Sequence, residues 1–230
     1  MRKNVPIIKG TLRNHMIEIP NSIRDASGIL IFGKRLKSFV FTTDVAIIRN
    51  TNADAIIAVY PFTPQPIITA SLILASDVPV FCGVGGGITT GKRVVNLALD
   101  AEFKGALGVV VNNPTPNEVI RQVRETIDIP IIITVVSEFE DIEARIKSGA
   151  TILNVSGAKR TPYIVKKIRE NFPDFPIIAT GGPNEDSIRQ TIEAGANAIT
   201  YTPPTTSEIL NEIMLSYRDN YKTNYEDEEK

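Results

Sequence analysis

The chain has 230 residues, 43% of them hydrophobic and 22% charged, enough for one domain that buries about 70% of its unfolded surface without disulfide or metal staples. Lys plus Arg is 25 and Asp plus Glu is 26, a balance that gives no electrostatic basis for binding nucleic acid or an anionic membrane. Cys82 is the single cysteine, which excludes an intrachain disulfide and fits a reducing, cytoplasmic location.

The first ten residues, MRKNVPIIKG, lack the apolar core of a signal peptide. No apolar run approaches the roughly 18 residues of a membrane span. Residues 1–28 follow no clear rhythm and are expected to form an N-terminal extension that plugs one end of the fold, supports a dimer or folds over a site. Ile29–Phe32 and Leu36–Phe41 flank Gly33-Lys34-Arg35, as in a hairpin leading into the first main strand.

From there one rhythm repeats. Short β-branched runs occur at Ser38–Phe41, Ala55–Tyr60, Val78–Cys82, Ala106–Val111, Pro130–Val135, Thr151–Val155, Pro176–Thr180 and Ala198–Tyr201. Nearly continuous apolar runs of this length mark parallel strands covered on both faces. Their starts lie about 17 to 28 residues apart, room for one crossover helix each. Pro116–Ile127, Phe139–Gly149 and Asn184–Gly195 carry apolar residues at helical spacing. The last two end at a glycine suited to a helix C-terminus. They also repeat internally: Ile142, Ile146, Gly149, Ala150 and Asn154 match Ile188, Ile192, Gly195, Ala196 and Thr200 at an offset of 46 residues. Residues 219–230 are polar and largely acidic, and are expected to be a solvated, disordered tail.

Eight strand–helix units are the number that closes a (β/α)8 TIM barrel. The expectation is therefore an α/β chain with one barrel domain over residues 1–218, including the extension. An open doubly wound sheet is the alternative.

In such barrels the working face lies at the carboxyl ends of the strands. There the first strand delivers Thr42, Thr43 and Asp44. The second delivers Tyr60 and Thr63, and the third Cys82, Gly83, Gly85, Gly86 and Gly87. Asn112 and Asn113 follow from the fourth, and Thr134, Ser137 and Glu138 from the fifth. Asn154, Ser156, Gly157 and Lys159 come from the sixth, Thr180, Gly181 and Gly182 from the seventh, and Thr200, Tyr201 and Thr202 from the eighth. Strand alternation puts Asn154 with Ser156 and Thr200 with Thr202 on one face each. Pointed inward, they form a ring of hydroxyls and amides with few charges. Three glycine-bearing turns, at Gly83–Gly87, Ser156-Gly157 and Gly181-Gly182, each precede a helix, where free N–H groups favour anions. Tight turns alone would also explain them. Gly86 to Lys92 spells most of a nucleotide-binding P-loop, but Arg93 stands where Ser or Thr should hold magnesium.

The stretch Ile177-Ile178-Ala179-Thr180-Gly181-Gly182, with Ile192-Glu193-Ala194-Gly195-Ala196-Asn197-Ala198-Ile199, resembles the last two units of the ribulose-phosphate-binding barrel superfamily. Residues 37–215 are compatible with it. The full sequence also resembles a group of bacterial barrel proteins loosely called hydrolases. The superfamily resemblance implies a phosphate held after the seventh and eighth strands. Gly181 and Gly182 match the first half of that site. Thr202-Pro203-Pro204 departs from the second, since two prolines remove two donors.

Several chemistries lack their residues. No lysine lies within a strand for a Schiff base, although Lys159 sits just beyond the sixth. His15 is the only histidine, too few for a two-histidine metal site or a Ser-His-Asp triad. Asp-x-Lys-x-x-Asp is absent. Cys82, beside Phe81, reads as a buried thiol rather than a nucleophile. Acid–base chemistry remains. Asp44 could remove a proton next to a carbonyl, and Lys159 could balance the charge. Asn112 and Asn154 could donate to the oxygen. Asp44 could equally cap a helix. Gly157, Gly181, Gly182 and Thr202 are the candidate phosphate ligands. The expectation is an isomerase or lyase acting on a small phosphorylated metabolite. The alternatives are a non-catalytic barrel that binds and reports such a metabolite, and a hydrolase. No cofactor, metal, nucleic acid or membrane partner is expected; a homodimer is the default assembly.

Overall fold

The computed structural model describes residues 6–8, 10 and 16–228, with side chains as far as 218. His15 lies outside the described residues. Two short antiparallel strands, β1 (Ile29–Ile31) and β2 (Lys34–Leu36), come first. They are joined by Phe32 and Gly33, both at positive φ, as a tight two-residue hairpin loop requires.

Eight parallel strands then close into one barrel: β3 (Ser38–Phe41), β4 (Ala55–Ala58), β5 (Val80–Gly85), β6 (Gly108–Val111), β7 (Ile131–Val135), β8 (Ile152–Val155), β9 (Ile177–Thr180) and β10 (Ala198–Tyr201). Each of the eight apolar runs becomes one of them. β10 pairs with β3, with Thr200 beside Phe39, so no sheet edge is left and the open-sheet alternative falls. The helices between are α1 (Val45–Arg49), α2 (Pro66–Ala75), α3 (Lys92–Phe103), α4 (Asn117–Thr126), α5 (Ile142–Lys147), α6 (Thr161–Asn171) and α7 (Glu185–Glu193), with α8 (Thr206–Glu228) after β10.

Alternation divides each strand between two cores. Val40, Ile56, Cys82, Val109 and Ile133 face the helices. Phe39, Ile57, Phe81, Val110, Ile132, Ile152, Ile178 and Ala198 fill the barrel. Phe39 and Phe81 meet edge to face, with centroids 5.3 Å apart. β6 opens on Gly108 because a Cβ there would sit 2.6 Å from the Phe81 ring. Below these rings Ile29, Ile31 and Leu36 of the hairpin join the inner cluster and seal the amino-terminal end. The barrel is therefore blind, open only at its carboxyl end.

The described part of the extension stays away from that opening. Ile17 exchanges backbone hydrogen bonds with Asn50 and Asn52, just before β4, and Gly28 N–H donates to Asn197, just before β10. A 3-10 turn at Asn21–Asp25 packs on α7 and buries Ile23. By contrast, none of the described side chains of α8 is buried. This helix continues to Glu228, through most of the segment expected as a tail.

α5 begins later than its periodicity suggests. Glu140 turns back to accept from Val136 and Ser137 N–H, and Asp141 takes over as cap by accepting from Ala144 N–H. The internal repeat survives in detail: Gly149 and Gly195 both end their helices at positive φ, and Thr200 Oγ1 donates to Asn154 Oδ1 across the same 46-residue offset.

Candidate functional site

The strand ends form a cavity of about 250 Å³ lined by Phe41, Ile57, Val59, Val110, Asn112, Thr134, Asn154, Ser156, Thr180, Thr200 and Thr202. Its floor is apolar and its wall is a ring of hydroxyls and amides, as alternation along β7, β8, β9 and β10 requires. No charged side chain lines it. The amide of Asn154 is oriented by its neighbour. Its Oδ1 accepts from the Thr200 hydroxyl at 3.4 Å, which leaves the Nδ2 protons for a ligand oxygen. Asn112 is fixed through its backbone: its N–H donates to Gly85 O at 2.9 Å and its carbonyl accepts from Thr115 N–H at 3.1 Å.

A second cavity of about 240 Å³ adjoins the first and shares Val59 and Asn112 with it. It lies between the loop after β4 and the glycine turn ending β5, and is lined by Tyr60, Phe62, Thr63, Gly86, Ile88 and Thr89 among others. A Cβ on Gly86 would come within 2.3 Å of Asn112 Cβ. The glycine thus lets the β5 turn press against the residue that divides the two cavities. The apolar floor and the Phe62–Ile88 rim were not singled out in the sequence. Alternation places Val59 two residues beyond Ile57 and Val110 two before Asn112, a signal sufficient to find the floor.

The expected catalytic residues separate into two groups. Asn112 and Asn154 line the cavity; Asp44 and Lys159 do not. Asp44 caps α1: its Oδ1 accepts from Ala46 and Ile47 N–H at 2.8 and 3.3 Å, and its Oδ2 accepts from the Thr206 hydroxyl at the start of α8. The Thr206 bond holds its carboxyl below the ordinary value of 3.8; burial opposes it, and the Ala46 and Ile47 amides add smaller lowering effects. Lys159 lies in a short 3-10 turn, Ala158–Arg160, and is exposed. Its neighbour Arg160 pairs with Glu138.

Of the expected phosphate ligands, Thr202 lines the cavity. Gly157 N–H donates to Thr161 Oγ1 at 3.0 Å, and Gly181 N–H donates to Thr200 O at 3.2 Å. Both amides are therefore engaged within the chain. Added Cβ atoms would strike Ile164 at Gly157, and Ile188 and Ile199 at Gly181, so these glycines let helices pack closely. Gly182 is exposed with φ +81°, and no partner for its N–H is found among the described residues. Beyond it, Asn184 and Ser187 form a reciprocal capping box on α7. Glu185, whose charge would oppose an anion, turns outward and accepts from Ser22 N–H.

Cys82 does not reach the mouth. It faces the helix layer, where burial pushes its thiol up to about 12. Among the described residues no three His, Cys, Asp or Glu side chains gather as a metal site, and no helix is long and apolar enough to cross a membrane.

No family model matches the chain, and no curated protein matches its sequence. Solved structures match its fold. One is 2,3-dimethylmalate lyase, a PEP mutase/isocitrate lyase superfamily member: TM-score 0.62, 12% identity, covering 88% of this chain and 85% of that one. Another is a protein described as a phosphonomutase from Burkholderia cenocepacia J2315: TM-score 0.59, 15% identity, covering 81% and 92%. A third is thiamine phosphate pyrophosphorylase from Pyrococcus furiosus: TM-score 0.55, 23% identity, covering 72% and 84%. At these identities the likeness is one of fold: a closed, eight-stranded parallel (β/α)8 barrel, without singling out the ribulose-phosphate-binding superfamily.

Proposed function

We propose that the barrel mouth binds a small phosphorylated metabolite and acts on it by proton transfer, as an isomerase or lyase. The observation that carries this reading is the ring of Asn112, Thr134, Asn154, Ser156, Thr180, Thr200 and Thr202 over an apolar floor. Neutral donors on a dry floor suit a molecule bearing carbonyl and hydroxyl groups. Asn154, with Nδ2 turned to the ligand, and Asn112 would stabilise the oxygen on which charge develops as a neighbouring C–H is lost. Thr180 and Thr202 hydroxyls, with Gly182 N–H, would hold the phosphate. Asp44 is the candidate base and Lys159 the candidate counter-charge. Asp44 must first release Thr206 to reach the substrate. Several fold neighbours are named as lyases or mutases, which agrees with this reaction class.

A second reading is favoured by one feature. With no charged group in the cavity lining, and Asp44 already accepting three hydrogen bonds, the barrel would bind the metabolite and report it without turnover. Thermal-shift screening with triose, glycerol and pentose phosphates tests the shared premise. A rise in melting temperature is expected for at least one compound, and Asn154→Leu should abolish it. If no compound shifts the transition at millimolar concentration, both readings fail. Turnover of the hit that is lost in Asp44→Asn while binding persists selects the enzyme; an inert hit selects the sensor.

A further inference from the structure

We propose that the cavity between the β4 and β5 loops receives a flat, apolar end of the same molecule whose polar end lies in the strand-end ring. The substrate is then elongated and two-ended rather than a compact triose. This inference rests on the mouth reading above.

The two cavities meet at Val59 and Asn112, so one ligand can occupy both. Both linings mix polar and apolar groups: the ring sets Asn154 and four threonines over Phe41, Ile57, Val59 and Val110, and the second cavity sets Thr63, Thr89 and Asn112 among Tyr60, Pro61, Phe62, Pro64 and Ile88; only the second carries the outward-standing pair Phe62 and Ile88. No charged side chain lines it, so an ionic group placed there would lose its hydration without a partner. Each hydroxyl present already has one partner in the chain. Thr89 Oγ1 donates to Thr63 Oγ1 at 3.3 Å, and Tyr60 Oη accepts from Gln65 N–H at 2.8 Å. These bonds, Pro61, Pro64 and the Gly86 N–H bond to Thr89 O give the cavity walls that exist before a ligand arrives.

Phe62 and Ile88 supply the second argument. They are 74% and 96% exposed, and neither belongs to a core cluster. A single exposed apolar side chain needs no explanation. These two stand on facing loops from adjacent strands, at the edge of one cavity, where a planar group would cover both. An apolar cavity of about 150 Å³ accepts benzene, so about 240 Å³ has room for one six-membered ring.

Methyl-labelled NMR of the full chain, titrated with phenyl phosphate and with glycerol 3-phosphate, separates the outcomes. Phenyl phosphate should move the Ile88 and Val59 methyl signals together with those of Thr180 and Thr200. It should bind at least tenfold tighter than glycerol 3-phosphate, which should move the ring signals alone. Phe62→Ala/Ile88→Ser should weaken phenyl phosphate at least fivefold and leave glycerol 3-phosphate within twofold. Both side chains are exposed, so folding should not suffer; Ile88→Ser alone serves as a check. Equal affinities, or ring signals that move with phenyl phosphate while Ile88 stays silent, overturn the two-ended substrate and leave the mouth reading standing. Ring signals silent to both probes remove the mouth reading and this inference with it.

Discussion

The turn after β5 and the turn after β9 are both rich in glycine, yet they are built for different ends. At the β9 turn the chain satisfies most of its own groups, with Gly182 N–H the exception among the described residues. Gly181 N–H belongs to Thr200 O, Asn184 and Ser187 cap α7, and Glu185 and Asp186 occupy its first turn. At the β5 turn no side chain caps α3, its first turn carries no acid, and Lys92 and Arg93 begin it. The turn borders a cavity, and a Cβ on Gly87 would meet nothing within 4 Å. Glycine in a βα turn therefore has two distinct uses. It can make room for the protein's own side chains, as Gly157 and Gly181 do, or leave backbone beside a ligand space. Composition is the same in both; what lies above the missing Cβ separates them.

Substitution sharpens that contrast. Gly86→Val should be the most damaging change. A Cβ there meets Asn112 Cβ at 2.3 Å, its N and Cα at 3.0 Å, and the residue holds φ +120°. Overpacking and backbone strain together should cost about 3 kcal/mol or more in urea unfolding. Gly87→Ala, one residue on, has only its φ of +72° to resist it, which amounts to about 1–2 kcal/mol. Equal losses from the two changes would show that Gly86 is not a packing glycine. Gly181→Ala falls between them. Its neighbours are the side-chain atoms Ile199 Cγ2 at 2.7 Å and Ile188 Cγ1 at 2.8 Å, so crowding should remove about 1–3 kcal/mol. Isothermal titration of the folded variant with a hit phosphate should show affinity within about threefold of the parent, because the Gly181 amide already serves the sheet. That factor corresponds to about 0.7 kcal/mol. A tenfold loss would return Gly181 to the phosphate site.

Those cases also show how far the sequence could be read. The eight apolar runs sufficed for the barrel, because parallel strands buried on both faces leave an unbroken pattern. Alternation was enough to turn Asn154 and Thr200 inward, whereas the hydrogen bond between them needed the fold. The engagement of individual amides was not legible. It depends on where the Thr161 hydroxyl and the Thr200 carbonyl come to lie, and local spacing carries no record of that. Asp44 had two readings in the sequence, base or cap, and its cap geometry needed the fold. The second cavity was hidden for the same reason. Tyr60 and the glycines were expected at the mouth, but Phe62 and Ile88 sit in loops without periodicity, so their common cavity is a tertiary fact.

The smallest effect expected is at Asp44. Its carboxyl is held below the ordinary 3.8 by the Thr206 hydroxyl first and the Ala46 and Ile47 amides next. A lowered folded value means that its ionised form stabilises the protein above pH 3.8, and that this contribution is lost as pH falls below it. Asn at this position keeps an oxygen for the two amides and remains a good helix cap. Asp44→Asn therefore loses the charge at the start of α1 and replaces the Oδ2 acceptor with an NH2 group that can only donate to the Thr206 hydroxyl oxygen; the charge contributes about 0.3–1 kcal/mol at most, reduced further by solvent screening at this partly exposed site. The parent should exceed the variant slightly in urea unfolding at pH 6, and the two should converge as pH drops from 4 to 3. A gap that stays constant or widens on acidification would mean that another group, not this carboxylate, carries the difference. Should the gap at pH 6 exceed 2 kcal/mol, Asp44 would be doing more than capping α1, and its tie to Thr206 would then hold α8 against the mouth.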